Sequence, residues 1–268
     1  ICSKVNKMSA LLSVENLSIK FGGLKAVDDV NFCIHKSELL GLIGPNGAGK
    51  TTVFNIISGF YKSDTGSINF ENQNITLANA TEVNHFGLAR TFQNIRLFKN
   101  LSVLENVLMA LQQRKHNGSI KDWITSLLNT DYYKKIELDL KTEALDLLKI
   151  FELDKFSEEK ASALSYGAQR KLEIVRALAT KPKLLMLDEP AAGMNHQETE
   201  ELNKLIRFIK EKFNLTILLI EHDMKLVMNI CDRIVVLNRG KKIADGLPSE
   251  IKNSQEVIEA YLGKRKHD

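Results

Sequence analysis

Residues 44–51 read Gly-Pro-Asn-Gly-Ala-Gly-Lys-Thr and follow the apolar run Leu-Leu-Gly-Leu-Ile of residues 39–43. A short continuous apolar run is typical of a strand buried on both faces, and the spacing from Lys50 to Gly59 predicts a helix. The eight residues fit GxxxxGK[ST], in which backbone N–H groups wrap phosphates, the lysine reaches the β- and γ-phosphates, and the hydroxyl can bind Mg²⁺. We therefore predict a nucleotide phosphate loop; a simple strand-to-helix turn is the alternative.

Three further apolar runs predict the rest of a core sheet. They lie at residues 184–187, 216–220 and 234–237, and stretches with helical spacing separate them. Buried strands that alternate with helices indicate a largely parallel sheet covered on both faces. Residues on either side of the phosphate loop differ from this pattern. Beta-like runs at residues 12–21 and 30–34 precede the loop, and runs at 67–70 and around Ile75, bounded by turn signals, follow its helix and predict hairpin strands.

The residues from about 101 to 153 have helical spacing, more charge and few β-branched side chains. This change of pattern predicts a helical subdomain inserted into an α/β core. We place the insertion at residues 101–165 and the remainder of the core at 166–247. Residues 248–268 are expected to form a C-terminal helix and a basic tail, so that residues 1–268 make one domain.

The composition excludes several classes of protein. Hydrophobic residues make up 44% and charged residues 26% of 268, which is an ordinary globular balance. The net charge of +4 comes partly from the tail, so we expect no nucleic-acid partner. No apolar run approaches the ~18 residues that suggest a membrane span. Cys2, Cys33 and Cys231 lie far apart without CxxC spacing, which predicts free thiols in a reducing compartment.

Two carboxylates end the apolar run of residues 184–187. Ligands of such sheets bind beyond the carboxyl ends of the strands, where Asp188 can hold Mg²⁺ through water. Glu189 could then polarise an attacking water as a general base. The alternative for Glu189 is a charge at the start of the next helix, since Pro190 could open one. The nearby phosphate loop favours catalysis.

His222 lies just beyond the apolar run of residues 216–220, at the same predicted edge of the sheet. An imidazole there can contact the γ-phosphate of a nucleotide or hold the attacking water. A lone histidine is otherwise an ordinary polar residue, but the predicted topology favours a functional role.

Residues 163–171, Ala-Leu-Ser-Tyr-Gly-Ala-Gln-Arg-Lys, open another stretch with helical spacing. Small polar residues at a helix start either cap the helix or bind an anion on its free N–H groups. The residues alone leave both interpretations open, and they give no reason for the tyrosine.

Six ordered motifs together resemble the ATP-binding-cassette (ABC) family, the ATPase subunits of membrane transporters, over almost the whole chain. They are GPNGAGKTT at 44–52, TFQ at 91–93, LSYGAQ at 164–169, LLMLDEP at 184–190, GMN at 193–195 and EHD at 221–223. The resemblance implies an α/β P-loop NTPase fold of the ABC ATPase type. That fold has a mostly parallel core sheet, an N-terminal antiparallel β subdomain and an inserted α-helical subdomain.

The resemblance also assigns roles to residues. It implies that Phe21 stacks on adenine, for which core packing is the alternative, and that Gln93 ligates Mg²⁺ and water while sensing the membrane partner. The catalytic candidates are Glu189, His222 and Gln93, and the metal candidates are Thr51, Gln93 and Asp188. The candidates for ATP binding are Phe21, Gly44, Pro45, Asn46, Gly47, Ala48, Gly49, Lys50, Thr51, Thr52, Ser165 and Gly167.

The family's signature is usually LSGGQ, and it binds the γ-phosphate of ATP held by another subunit. Here Tyr166 replaces the first glycine and Ala168 the glutamine, while Ser165 and Gly167 remain. The loop that usually reads SALD ends here in Asn195. We expect the signature to work, and the roles of the three replaced positions stay open.

The resemblance implies a set of partners. A homodimer or a heterodimer with a second ABC ATPase subunit would enclose two Mg-ATP and drive two transmembrane permease subunits from the cytoplasmic face of the inner membrane. A periplasmic or surface substrate-binding protein would act indirectly. Leu97 and Phe98 are candidates for contact with the permease, with packing inside the subdomain as the alternative.

A finer resemblance is to the ATPases of branched-chain amino acid importers. It depends on FGGLKAVDDV at 21–30, RTFQNIRLF at 90–98, IEHDMKLVM at 220–228 and AYLG at 260–263. Three alternatives stay open: lipopolysaccharide-export ATPases, soluble cassette ATPases that assemble protein complexes such as iron–sulfur assembly factors, and a nucleotide-gated module without turnover. Glu189 and His222 disfavour the last.

Overall fold

The computed structural model describes residues 10–115 and 131–262. These residues form two compact units. The first unit contains residues 10–90, 183–192 and 203–262, and the second contains residues 91–115, 131–182 and 193–202.

Ten strands occur in the described residues, and all belong to the first unit. They are β1 (Ala10–Phe21), β2 (Leu24–His35), β3 (Leu39–Ile43), β4 (Thr65–Phe70), β5 (Gln73–Asn74), β6 (Leu88–Arg90), β7 (Leu184–Asp188), β8 (Thr216–Ile220), β9 (Arg233–Asn238) and β10 (Lys241–Gly246).

Six of these strands form the core sheet in the order β10-β9-β3-β8-β7-β6. Neighbours run parallel from β9 to β6, and only β10 runs antiparallel, to β9. Every residue of β3, β7 and β8 is buried, as their continuous apolar sequences predict. The predicted mostly parallel core sheet is confirmed.

The other four strands form an antiparallel sheet in the order β2-β1-β4-β5. Its inner face shares one hydrophobic cluster with the core sheet, in which Val14, Phe32 and Phe70 are almost fully buried together with Leu218. The predicted antiparallel sheet is therefore confirmed. The predicted strand at residues 30–34 begins earlier, at Leu24, and Ile75 lies just after β5 rather than inside a strand.

Nine α-helices are described. They are α1 (Lys50–Ile57), α2 (Ala80–His85), α3 (Val103–Lys115), α4 (Asp131–Ile150), α5 (Tyr166–Ala179), α6 (His196–Phe213), α7 (Met224–Ile230), α8 (Pro248–Lys252) and α9 (Gln255–Leu262). Within the described ranges, no helix combines the length and the apolar character needed to cross a membrane.

The second unit is helical, and its interior is formed by α3, α4 and α5. Val107, Leu111, Leu148 and Phe151 are buried there, at positions with the spacing that predicts amphipathic helices. Residues 116–130 of the predicted insertion lie outside the described residues, as does the basic tail from residue 263. The boundaries at 101 and 165 stay a prediction.

The cysteines differ in state. Cys231 is free and buried, and burial raises the pKa of its thiol, which makes the thiolate scarce and the side chain unreactive. Cys33 is disulfide-bonded, so the prediction of free thiols is wrong for this residue.

Candidate nucleotide site

The phosphate loop joins β3 to α1 at the carboxyl end of the core sheet. Gly49 caps α1 with a φ of 100°, and a Cβ on Gly49 would lie 2.6 Å from the carbonyl oxygen of Ala26. Only glycine fits this backbone without displacing β2. Asn46, Gly47 and Thr51 are exposed, so the loop and the first turn of α1 present N–H groups and a hydroxyl to solvent.

Lys50 lies inside the phosphate loop. Its side chain is only 7% exposed, and Nζ donates to the carbonyl oxygens of Gly44 at 2.7 Å and Pro45 at 3.1 Å. Burial lowers the pKa of Lys50, and the charges of Glu189 and Asp188 oppose that shift. The ammonium therefore lies in a low-dielectric loop with two carboxylates nearby, where its attraction to a phosphate is strong.

Asp188 ends β7 and is held by an arginine that sequence reasoning missed. Arg90, the last residue of β6, donates to Oδ2 of Asp188 at 2.7 Å, and both side chains are buried. The same guanidinium donates to Asn55 on α1 at 2.7 Å and to Ser58, the C-cap residue of α1, at 2.8 Å. Arg90 therefore fixes the carboxylate and ties it to the helix that follows the phosphate loop. The sequence signal that could have indicated Arg90 was its position directly before the TFQ motif.

Glu189 has a left-handed backbone with a φ of 47°. This conformation is uncommon outside glycine, and such residues concentrate at functional sites. The N–H group of Glu189 donates to the carbonyl oxygen of Ile220 on β8 at 3.0 Å, and its side chain is 19% exposed. The strand pairing therefore supports a backbone that directs the carboxylate out of the sheet.

His222 lies beside Glu189, as the predicted topology requires. Nδ1 of His222 is 3.8 Å from Oε2 of Glu189, and the imidazole is 60% exposed. The two groups lie beyond hydrogen-bond distance. They can therefore approach a shared water or phosphate oxygen without first breaking a bond to each other.

Glu221 is a second residue that sequence reasoning missed. It is 1% exposed, and Oε1 accepts the N–H group of Ala191 at 3.0 Å. Burial raises the pKa of Glu221, while the hydrogen bond from Ala191 and the charge of His222 lower it. Its side chain links the end of β8 to the loop after Glu189. Its place in the EHD motif, directly after the apolar run of residues 216–220, was the available sequence signal.

Phe21 ends β1 and is 45% exposed. Its ring packs edge-to-face on Tyr61, with the centroids 5.4 Å apart. This exposure argues against the alternative that Phe21 is a core residue, and it leaves a ring face available for stacking.

Ser165 and Gly167 lie at the start of α5 in the second unit. Ser165 is the N-cap, and its hydroxyl accepts the N–H group of Ala168 at 3.3 Å. Gly167 is buried beside Glu198, whose carboxylate oxygen would lie 3.3 Å from an added Cβ. Ser165 therefore caps the helix, as one of the two interpretations predicts. The backbone N–H groups that an anion would bind lie in the same first turn of α5.

Asn195 caps the next helix. Its side-chain oxygen accepts the N–H group of Glu198 at 3.0 Å, and the Glu198 carboxylate accepts the N–H group of Asn195 at 3.0 Å. This reciprocal pair is a capping box at the start of α6. An asparagine performs this task as well as the aspartate of the usual motif.

The peptide groups around Gln93 are held by α5. Arg170 donates to the carbonyl oxygens of Phe92, at 2.6 Å, and of Gln93 itself. Arg170 is 2% exposed, and the sequence did not indicate that this charged side chain is buried beside Gln93. The side chain of Gln93 is exposed.

The structure thus brings Lys50, Asp188, Glu189 and His222 together in the first unit, and Gln93, Ser165 and Gly167 in the second. The first unit has a phosphate loop after one central strand and paired carboxylates after another. This arrangement defines a P-loop domain that hydrolyses nucleotides.

Comparison with protein families narrows this class. The family model described as ABC transporter matches residues 27–192, and the model described as branched-chain amino acid ATP-binding cassette transporter matches residues 241–267. The chain belongs to the ABC transporter ATPase family, and the predicted ABC ATPase fold is confirmed.

Curated relatives match over nearly their whole length. The high-affinity branched-chain amino acid transport ATP-binding protein LivG of Escherichia coli (strain K12) is 46% identical over 95% of this chain and 98% of its own. The protein BraF of Pseudomonas aeruginosa, which carries the same description, is 44% identical over the same shares.

Solved structures of ATP-binding cassettes are also similar to this chain. The ADP conformation of MJ1267, an ATP-binding cassette of an ABC transporter, is 34% identical with a TM-score of 0.81 and covers 95% of this chain and 99% of its own. A dimeric post-hydrolysis state of the cassette MJ0796 bound to ADP and Pi is 26% identical with a TM-score of 0.72, over 88% and 98% of the two chains.

Proposed function

We propose that this chain is the ATP-hydrolysing subunit of an importer of branched-chain amino acids. The observation that carries the proposal is the full-length identity of 46% to LivG together with Lys50, Asp188, Glu189 and His222 at one end of the core sheet. Lipopolysaccharide export and iron–sulfur assembly are not favoured, since the relatives above are named for branched-chain amino acid transport.

In this proposal, each ATP is bound by the phosphate loop and catalytic residues of one subunit and by the signature residues of the other. Backbone N–H groups of residues 44–52 and the Lys50 ammonium bind the phosphates, and Phe21 stacks on adenine. Glu189 accepts a proton from the attacking water, and His222 holds that water or the γ-phosphate. Ser165 and Gly167 receive the γ-phosphate of ATP bound to the other subunit of a dimer.

The residues present fit Mg²⁺. Thr51 and Asp188, both in the first unit, offer a hydroxyl and a carboxylate oxygen, which are ligands that Mg²⁺ prefers. The role of Gln93 as a further ligand depends on the family resemblance. Arg90 holds Oδ2 of Asp188 in place, which orients the other oxygen of the carboxylate. The described residues contain no group of three or more His, Cys, Asp or Glu side chains that could bind a metal ion, so phosphates and water would complete the coordination. The ion would neutralise charge that develops on the phosphates.

The dimer, the permease and the location follow from the same proposal. Dimerisation is supported by the dimeric cassette MJ0796. We place the chain at the cytoplasmic face of the membrane as a peripheral subunit, where binding of two ATP molecules closes the dimer and hydrolysis opens it. Phe98 is 47% exposed in the segment after Gln93, which supports its role in contacting a permease.

Reconstitution tests the proposal. The chain would be co-expressed with its cognate permease subunits and inserted in proteoliposomes with the cognate binding protein. We expect ATP-dependent uptake of labelled leucine and little uptake of labelled lysine. A matched complex with Glu189→Gln should assemble and bind ATP without uptake. Turnover without leucine uptake, or a detergent-stable complex with lipopolysaccharide-export components, would contradict the assignment.

A further inference from the structure

The backbone around Gln93 is fixed by one buried ion pair on α5. The Arg170 guanidinium contacts the carbonyl oxygens of Phe92 and Gln93, which belong to the two peptide groups that flank the Cα of Gln93. The Glu173 carboxylate accepts a hydrogen bond from the Arg170 guanidinium at 3.1 Å. It also accepts hydrogen bonds from the backbone N–H groups of Phe92 and Arg96, both at 3.3 Å. Both charged side chains are buried, so this pair has little freedom to rearrange.

Tyr166 extends this network to a second loop. Its hydroxyl lies 3.1 Å from a guanidinium nitrogen of Arg170, and the guanidinium carbon is 5.5 Å from the ring centroid. The same ring lies against Gly193, where an added Cβ would be 3.3 Å from Cε1 of Tyr166. The glycine usual at position 166 in the family's signature could make neither contact.

We propose that Arg170 and Tyr166 are positioning residues for ATP turnover, which lock the backbone of Gln93 and the loop at Gly193 to the first turn of α5. That turn carries Ser165 and Gly167. A shift of the signature on engaging a phosphate is then passed to Gln93 through charged hydrogen bonds rather than through a flexible loop. The inference rests on the proposed function, because the network matters only if the chain hydrolyses ATP.

Two variants of the full chain separate positioning from folding. Tyr166→Phe keeps the ring on Gly193 and removes the hydroxyl. Arg170→Lys keeps the charge but replaces the planar fork, whose two nitrogens contact the carbonyl oxygens of Phe92 and Gln93, by a single shorter ammonium. Lys181→Gln is the matched control, because it breaks the exposed ion pair with Glu143 in the same unit without touching this network. All are measured in the complex with the permease subunits.

We expect Arg170→Lys to lower kcat roughly tenfold, the scale of one lost charged hydrogen bond, with KM for ATP within about twofold. Tyr166→Phe should lower kcat by about threefold. The double variant should be no slower than Arg170→Lys, because both changes remove the same contact. KM should hold because neither Arg170 nor Tyr166 is among the groups that bind ATP in the proposed function.

The results can overturn the inference separately from the function. Wild-type kcat in both variants, additive losses, or a fall in kcat that only matches a fall in the folded fraction would each exclude positioning. Should Arg170→Lys fail to fold, the kcat and KM of Tyr166→Phe decide alone. Absence of ATP turnover in the wild-type complex would instead remove the proposed function.

Discussion

Arg90 offers the sharpest test of how the nucleotide site is built. Replacing it by methionine leaves the Asp188 carboxylate, which is 3% exposed, without the guanidinium that holds it. Asn55 and Ser58 lose the same donor. Breaking a buried ion pair from one side costs about 3–5 kcal/mol, because the remaining charge stays desolvated. That loss is a large part of the ~5–15 kcal/mol that stabilises a typical domain.

The matched control is Lys183→Met in the same unit. Lys183 pairs with Glu71 at the surface, where the lysine side chain is 54% exposed. Water already solvates this pair, so its loss should cost less than ~1 kcal/mol. Urea unfolding followed by circular dichroism gives both values, and the slopes with urea show whether the unfolded state has changed.

A second substitution makes the explanation refutable. Asp188→Asn in the Arg90→Met chain removes the unpaired charge, so the double variant should be more stable than Arg90→Met alone. A double variant that is less stable would show that the arginine acts through packing on Phe54 and Phe60 rather than through the carboxylate. Equal losses for Arg90→Met and Lys183→Met would refute the buried pair altogether.

Three further predictions concern the loop and the carboxylates. Glu189→Gln should still bind ATP but turn over about 10²–10⁴-fold more slowly in a phosphate-release assay; near-normal turnover would remove Glu189 as the base. Gly49→Ala should cost about 1–3 kcal/mol in urea unfolding and weaken ATP binding, because its Cβ would meet the Ala26 carbonyl in a strained backbone. Burial raises the pKa of Glu221, so folding favours its protonated form and the wild-type chain loses stability as pH rises above the ordinary glutamate value of 4.5. Glu221→Gln carries no charge, and its stability relative to wild type should therefore increase between pH 5 and pH 8.

The core of the fold was predictable because its signals are local. Leu39–Ile43 and Thr216–Ile220 are continuous apolar runs, and both are strands buried on both faces with the predicted bounds. The phosphate loop follows the first of these strands and His222 follows the second, so the predicted strand ends also predicted where both lie in the fold. Strands with weak local signals were missed: Leu88–Arg90 is three residues long, and Lys241–Gly246 is charged and partly exposed.

The residues that organise the site were not predictable in the same way. Arg90 and Asp188 are 98 positions apart, and Arg170 meets Phe92 across 78 positions. Sequence spacing carries no information on such pairs. Arg170 and Glu173 look like a surface pair three residues apart on a helix, and only the fold shows that they are buried.

The start of α5 shows why capping and phosphate binding need not be rival interpretations. The Ser165 hydroxyl accepts from Ala168 at 3.3 Å, which is long for a hydrogen bond, so the cap gives up little when an anion takes over the donors of that turn. Position 168 contributes its backbone N–H group to this cap, and any residue but proline supplies one. The side chain of the usual glutamine is therefore dispensable for the cap. Tyr166 differs, because its ring and hydroxyl make contacts that no backbone could provide.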